Sequence, residues 1–266
     1  MSIQNVESHH QHSFSLHGKV ALVVGGYGAI GAAISETLAT AGAMSIVAGR
    51  SGDRARAFAA ELNDKGLSVQ GVELDACDVA AVRRLPSSLK HQYGSIDILV
   101  NCVGINKEQP LLEVTEDAFD QVYHGTLRAG MFLGQAVAAH QVAAEKRGSH
   151  IHILSLRSSL GFRDRGYSAF CAAKGGLAIL LKQHATELAP YGITVNGVAP
   201  GVVRTHKNDK ALEDTATFQE AITDIPLRCL ATPSDVAGAV HFFASSLARF
   251  VTGQILYVDG GLTAST

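Results

Sequence analysis

The feature that most constrains this chain is an alternation that begins at Lys19 and runs to the C-terminus. Short apolar runs at 19–24, 44–48, 68–73, 97–101, 149–155, 193–199 and 254–258 are separated by longer amphipathic stretches near 29–42, 51–65, 79–92, 116–144, 167–189 and 233–246. The runs have strand length, and the intervals between them are long enough for crossover helices. Repeated β-α-β units imply a parallel, doubly wound sheet, so an α/β fold with seven parallel strands flanked by helices is expected. Ligands of such sheets sit outside the carboxyl ends of the strands, which directs attention to the loops that follow them.

Composition narrows the function classes. With 266 residues, 47% of them hydrophobic and 17% charged, the chain can bury a sizeable core, and dominant disorder is excluded. A net charge of -2 from 22 basic and 24 acidic residues, well interspersed, gives no electrostatic footprint for nucleic acid or an anionic membrane. A small-molecule substrate is the expected partner. Cys77, Cys102, Cys171 and Cys229 form no C-x-x-C pair, so neither a structural zinc nor a redox motif is expected. The absence of a basic-then-apolar leader and of spanning apolar stretches points to the cytoplasm. Residues 1–17 carry four of the twelve histidines among polar residues; a solvated, mobile tail is expected there rather than a metal site. Residues 18–266 then form one domain with no interdomain linker, and its 204–228 segment is expected to be a mobile substrate loop.

The first strand runs into Gly25-Gly26-Tyr27-Gly28-Ala29-Ile30-Gly31 and then into an Ala-rich stretch. Glycines at a strand-to-helix junction permit a tight turn, backbone approach to a pyrophosphate and close helix packing, and the helix N-terminus offers free N–H groups to phosphate. In a βαβ series this pattern predicts a dinucleotide-binding Rossmann domain. After the second strand, where a carboxylate would bind the ribose 2′-hydroxyl of NAD, stand Arg50 and Ser51, followed by Arg54. These can grip a 2′-phosphate through charge-assisted bonds, which favours NADP over NAD. The plainer reading of Arg50 is a solvated loop cation.

Further motifs follow in an order that resembles the short-chain dehydrogenase/reductase family from Lys19 to the end. Asp75 looks like the family's adenine-contacting aspartate, and Asn101-Cys102-Val103-Gly104 resembles its N-N-A-G segment. Val195-Asn196-Gly197-Val198-Ala199-Pro200-Gly201, leading through Val203 to Thr205, is similar to the loop that holds the nicotinamide carboxamide, and Tyr257-Val258-Asp259-Gly260-Gly261 resembles the C-terminal signature. The resemblance implies a nicotinamide-dependent oxidoreductase that assembles as a homotetramer. It also implies a tetrad of Asn, Ser, Tyr and Lys, the last two spaced Y-x-x-x-K. Ser155 and Lys174 match their positions, but Thr126 stands at the Asn position and Phe170 at the Tyr position. None of the chain's six tyrosines lies four residues before Lys174.

That departure changes the expected chemistry. Carbonyl reduction needs a proton for the developing alkoxide, and general acid–base catalysis contributes roughly 10²–10⁴ in rate. Phe170 keeps the ring and loses the proton, so cofactor binding should persist while carbonyl/alcohol turnover is impaired. Three explanations stand open: an inactivated variant of an active enzyme, a reaction such as iminium reduction that needs no tyrosine, or a dinucleotide-binding protein without catalysis. Tyr167, one helical turn before Phe170, is either a substitute donor or a packing residue. Ser155, Arg157 and Tyr167 are the candidate substrate contacts, with the 104–110 and 204–228 segments. Arg157 is read either as a contact for an anionic or hydroxylated substrate or as a surface cation. The run Ser155–Gly161 is similar to gluconate 5-dehydrogenase-like members of the family, which suggests a polyol or keto-sugar acid. His124, His150, His152 and His184 show no ligand spacing and are expected to be packing or surface residues.

Overall fold

The computed structural model describes residues 14–163, 165–205, 209 and 214–265. Its seven strands are β1 (Val20–Val24), β2 (Met44–Gly49), β3 (Val69–Glu73), β4 (Ile98–Asn101), β5 (Gly148–Ile153), β6 (Ile193–Pro200) and β7 (Ile255–Val258). They form one sheet in the order β3-β2-β1-β4-β5-β6-β7, and every pairing is parallel. The strand order reverses between β1 and β4, whose ends are level because Val24 pairs with both Ala48 and Asn101. This is the switch point at which such sheets open a crevice.

The β1 sequence VALVV is buried at every position, as expected for a central parallel strand covered on both faces. Ala21 and Val23 point to one side, packing with Ile34, Leu38, Val240 and Phe243 from helices α1 (Ala29–Thr40) and α8 (Pro233–Ala244). Leu22 and Val24 point to the other, where Val82, Leu133 and Val137 arrive from α3 (Val79–Tyr93) and α5 (Ala129–Ala143). The remaining helices are α2 (Gly52–Asp64), α4 (Glu116–Tyr123), α6 (Ser168–Leu188) and α7 (Thr215–Thr223). Ser51, Asp78, Thr115 and Thr232 cap α2, α3, α4 and α8 through side-chain oxygens, the usual local stop that sets a helix start. No helix among the described residues is long and apolar enough to cross a membrane.

Two expectations are corrected, and a third falls partly outside the described residues. The stretch read as one helix over 116–144 is α4 and α5 joined by a π-turn at His124–Arg128. The 204–228 segment contains α7, while most of 206–213 lies outside the described residues. Of the 1–17 tail, residues 1–13 also lie outside them, but Leu16 is only 2% exposed and packs in the α1/α8 core. His241 in α8 hydrogen-bonds the Phe14 carbonyl at 2.7 Å, so the packed domain includes residues 14–17.

The β5 histidines are in the core, balanced by polar partners. His150 Nε2 meets Gln141 Oε1 at 2.9 Å, and Asn101 Nδ2 donates to His152 Nδ1 at 3.2 Å. Burial pushes both imidazoles down to about 3, which keeps them neutral. Among the described residues no cluster of three His, Cys, Asp or Glu is placed to hold a metal ion.

Candidate active site

The glycine loop after β1 is shaped by absent side chains. Gly25 adopts φ +82°, a left-handed conformation that favours glycine. A Cβ on Gly31 would lie 2.2 Å from the Gly25 carbonyl oxygen, so α1 can seat this close to the loop only without one. Gly28 begins α1 with no side-chain cap, leaving first-turn N–H groups for an outside acceptor. Tyr27 is more than a spacer. Its hydroxyl accepts from the Ser51 backbone N–H at 3.0 Å, its ring packs over Gly49 where a Cβ would come within 2.4 Å, and the Arg54 guanidinium lies 4.7 Å above the ring. The loop after β2 is thereby tied to the glycine loop. Exposed Arg50 and Arg54 flank it, and Ser51 Oγ accepts from Arg54 N at 3.3 Å.

The next strand ends supply the rest of the crevice. Asp75 Oδ1 accepts from Cys77 N at 2.9 Å and fixes the turn after β3. Asn101 is fully buried; its Oδ1 accepts from Val103 N at 3.0 Å, which shapes the backbone leading to Gly104. A Cβ on Gly104 would lie 3.0 Å from Lys174 Nζ and 3.8 Å from Thr126 Oγ1, so the backbone, the cation and the hydroxyl converge there. Thr126 sits in the π-turn and its buried hydroxyl has no hydrogen-bond partner among the described residues. Such turns recur at functional sites. On the far side, Gly201 N donates to Val258 O at 3.0 Å, and a Cβ on Gly201 would meet Asp259 at 2.9 Å. This anchors the Pro200–Gly201 end of β6 against the C-terminal signature, before Val203 bridges to Ala231 and the chain reaches half-buried Thr205.

Lys174 projects from α6 into this convergence, 5% exposed, and Nζ donates to the Ile153 carbonyl at 2.7 Å. Burial lowers it to about 8. Its ammonium lies 5.9 Å from the centroid of the Phe170 ring, which packs with Ile105, Val122, Ala169 and Ala173. A phenyl ring with no hydroxyl therefore faces the cation here. Ser155 caps the short turn after β5, its Oγ accepting from Arg157 N at 3.2 Å. Arg157 is stacked 3.7 Å above Phe162 and donates to Gly161 O at 2.6 Å. Tyr167 contacts Phe170 edge-on, with ring centroids 6.0 Å apart.

The sequence reading missed Arg165 and Glu108. They form a bidentate ion pair that fastens the 105–110 loop beside Tyr167, with Gln109 N donating to Gly166 O at 3.0 Å. The Arg165 guanidinium holds the Glu108 carboxyl below the usual carboxylate range. Two loop charges 57 residues apart give no local pattern that would have paired them.

Fold and site together define an α/β oxidoreductase of the dinucleotide-binding class. Residues 26–263 match the family model described as enoyl-(acyl carrier protein) reductase. The chain is 35% identical over 254 residues to 2-dehydro-3-deoxy-D-gluconate 5-dehydrogenase of Formosa agariphila, covering 95% of both chains. It is 34% identical to the 3-oxoacyl-(acyl-carrier-protein) reductase FabG of Aquifex aeolicus, over 93% of this chain and 98% of that one. The structure of a gluconate 5-dehydrogenase from Burkholderia cenocepacia, solved with NADP and tartrate, superposes with a TM-score of 0.90 at 33% identity, over 96% and 99% of the two chains. The chain belongs to the short-chain dehydrogenase/reductase family.

Proposed function

We propose that this chain binds NADPH and belongs to a lineage that reduces a keto-sugar acid or related carbonyl, or oxidises the matching alcohol, with its proton transfer impaired at Phe170. The observation that carries this reading is the Phe170 ring lying over a buried Lys174 in a crevice that also holds Ser155. The residues fit a dinucleotide: at Gly31 a Cβ would collide with the Gly25 carbonyl and at Gly104 it would crowd Lys174 Nζ, so glycine at both lets helix, loop and cation close up around the backbone path that phosphate and nicotinamide binding require. Arg50, Ser51 and Arg54 would hold a 2′-phosphate, Asp75 the adenine, Asn101 and Gly104 the wall beside the nicotinamide ribose, and Pro200, Gly201, Val203 and Thr205 the carboxamide side. Bound NADPH would supply hydride to the carbonyl carbon.

The chain's own groups do the rest. Ser155 is placed to donate to the substrate oxygen, and Lys174 to bind the ribose and bias the site electrostatically. The described charges around this space are Lys174, Arg157, exposed Lys107 and Arg163, and the mutually neutralised Arg165–Glu108 pair, an excess of positive charge that suits a carboxylate-bearing substrate and disfavours an iminium. The names of the relatives, two of them gluconate-type dehydrogenases, support the sugar-acid reading. Exposed Phe119, Tyr123 and Ile179 on α4 and α6 suit helix pairing between subunits in a cytoplasmic homotetramer.

The test is Phe170→Tyr. NADPH oxidation with 5-ketogluconate, related keto acids and a 3-oxoacyl thioester should rise at least about 100-fold on one substrate, the lower end of general-acid catalysis. NADPH affinity should stay within about twofold. No gain on any of them would overturn the reading of Phe170 as the impairing residue.

A further inference from the structure

Resting on the reductase reading above, we propose that Tyr167 is the residual proton donor of this site, its phenol paired with Arg165 and Glu108 rather than with Lys174. The observation is convergence. The three walls around the candidate substrate space meet at this one side chain. Phe170 from the α6 wall touches it edge-on at 6.0 Å. Phe162, which carries the Arg157 guanidinium of the post-β5 wall, touches its ring at 5.5 Å. Glu108 from the 105–110 wall reaches it directly, as acceptor of a hydrogen bond from the Tyr167 hydroxyl, and through Arg165, whose Nη2 donates to that hydroxyl at 3.1 Å.

The other proton-bearing groups serve less well. Lys174 Nζ is buried beneath the Phe170 ring and committed to the Ile153 carbonyl. The Cys171 thiol is pushed up by burial, which weakens it as an acid. Thr126 and Ser155 carry aliphatic hydroxyls, far weaker acids than a phenol. Tyr167 instead is half-buried and presents a phenol hydroxyl, to which the Arg165 guanidinium donates a hydrogen bond.

The step balances simply. As the carbonyl carbon is reduced, the C=O π pair moves to oxygen. The Tyr167 O–H bond breaks, its proton joins that oxygen, and the bonding pair remains on the phenolate beside Arg165. Water, which reaches a half-buried ring, returns the proton. Glu108 keeps the guanidinium oriented and is a positioning residue; Arg165 steadies the phenolate.

The experiment compares the parent chain with Tyr167→Phe, Phe170→Tyr and the double variant, on the substrate that Phe170→Tyr turns over fastest. NADPH binding is followed separately by fluorescence. Tyr167→Phe should lower the parent's residual kcat at least 30-fold and remove its solvent isotope effect, with NADPH affinity unchanged. In the Phe170→Tyr background the same substitution should cost only about threefold, because two donors then share one task. Arg165→Met should lower the parent's kcat about tenfold, with little change in KM. Parent turnover that survives Tyr167→Phe, equal losses in both backgrounds, or no residual turnover in a parent whose Phe170→Tyr form is active would each overturn the role of Tyr167. No turnover in any of the four chains would overturn the reductase reading itself, and the inference with it.

Discussion

The two halves of the crevice have kept different amounts of their pattern. On the nucleotide side, β1 to β4 present a glycine loop, a capped second loop and a buried asparagine, each explained by what it leaves room for or ties down. On the chemical side, β5 and α6 carry Ser155 and Lys174 with a phenyl ring over the lysine, and the π-turn between α4 and α5 adds a threonine. On the proposed reading, binding and proton transfer are separable in this fold: backbone shape would secure the first and the groups around Lys174 the second.

Perturbations graded by size test that separation. The largest acts through the β5 histidines, in the chemical half. Their folded values near 3 lie below the ordinary 6.5, so the unfolded chain binds more protons; stability is full above about pH 6.5 and falls as pH drops toward 3. For the two together this amounts to about 4 kcal/mol between pH 7.5 and pH 5, on the order of 10³ in the folding equilibrium. Urea unfolding at both pH values measures it, and a loss under 1 kcal/mol would show that the imidazoles reach water. In the nucleotide half, Gly31→Ala puts a methyl group 2.2 Å from a backbone oxygen. NADPH affinity, read by fluorescence, should fall about 100-fold, even with Phe170→Tyr present. Unchanged affinity would detach the glycine loop from binding. Arg50→Ala is expected to reduce the preference for NADPH over NADH about tenfold, the scale of one charge-assisted contact, and equal losses for both cofactors would reassign Arg50 to the surface. Smallest is Thr232→Ala, which removes the α8 cap in neither half. It should cost about 1 kcal/mol of stability and leave cofactor affinity alone, so an affinity change would mean the halves are coupled through the core.

Local pattern explains what could be read in advance. All seven strands and the glycine loop announce themselves through apolar runs and turn residues adjacent in sequence, whereas the reading of Phe170 as a missing hydroxyl comes from the family resemblance around Lys174. What escaped depends on distant partners. His150 and His152 read as packing or surface residues, but their buried partners Gln141 and Asn101, each on one ring nitrogen, have no local signal. Arg165 and Glu108 are two ordinary loop charges until folding joins them. Leu16 sits in a stretch whose composition reads as tail, yet the cleft between α1 and α8 takes it in. The π-turn adds one residue to a helical turn, a phase slip too small to disturb the apolar period around it.

That slip makes segment length a specification. Each helical residue turns the chain by about 100°. Removing one residue from His124–Arg128 would restore an unbroken helix, and it would also swing α4 by that angle, carrying Val122 away from Ala169, Ala173 and the Phe170 ring. In this chain a side-chain exchange at 126 would leave that packing in place, whereas a change in the number of residues between Val122 and Ala129 would not.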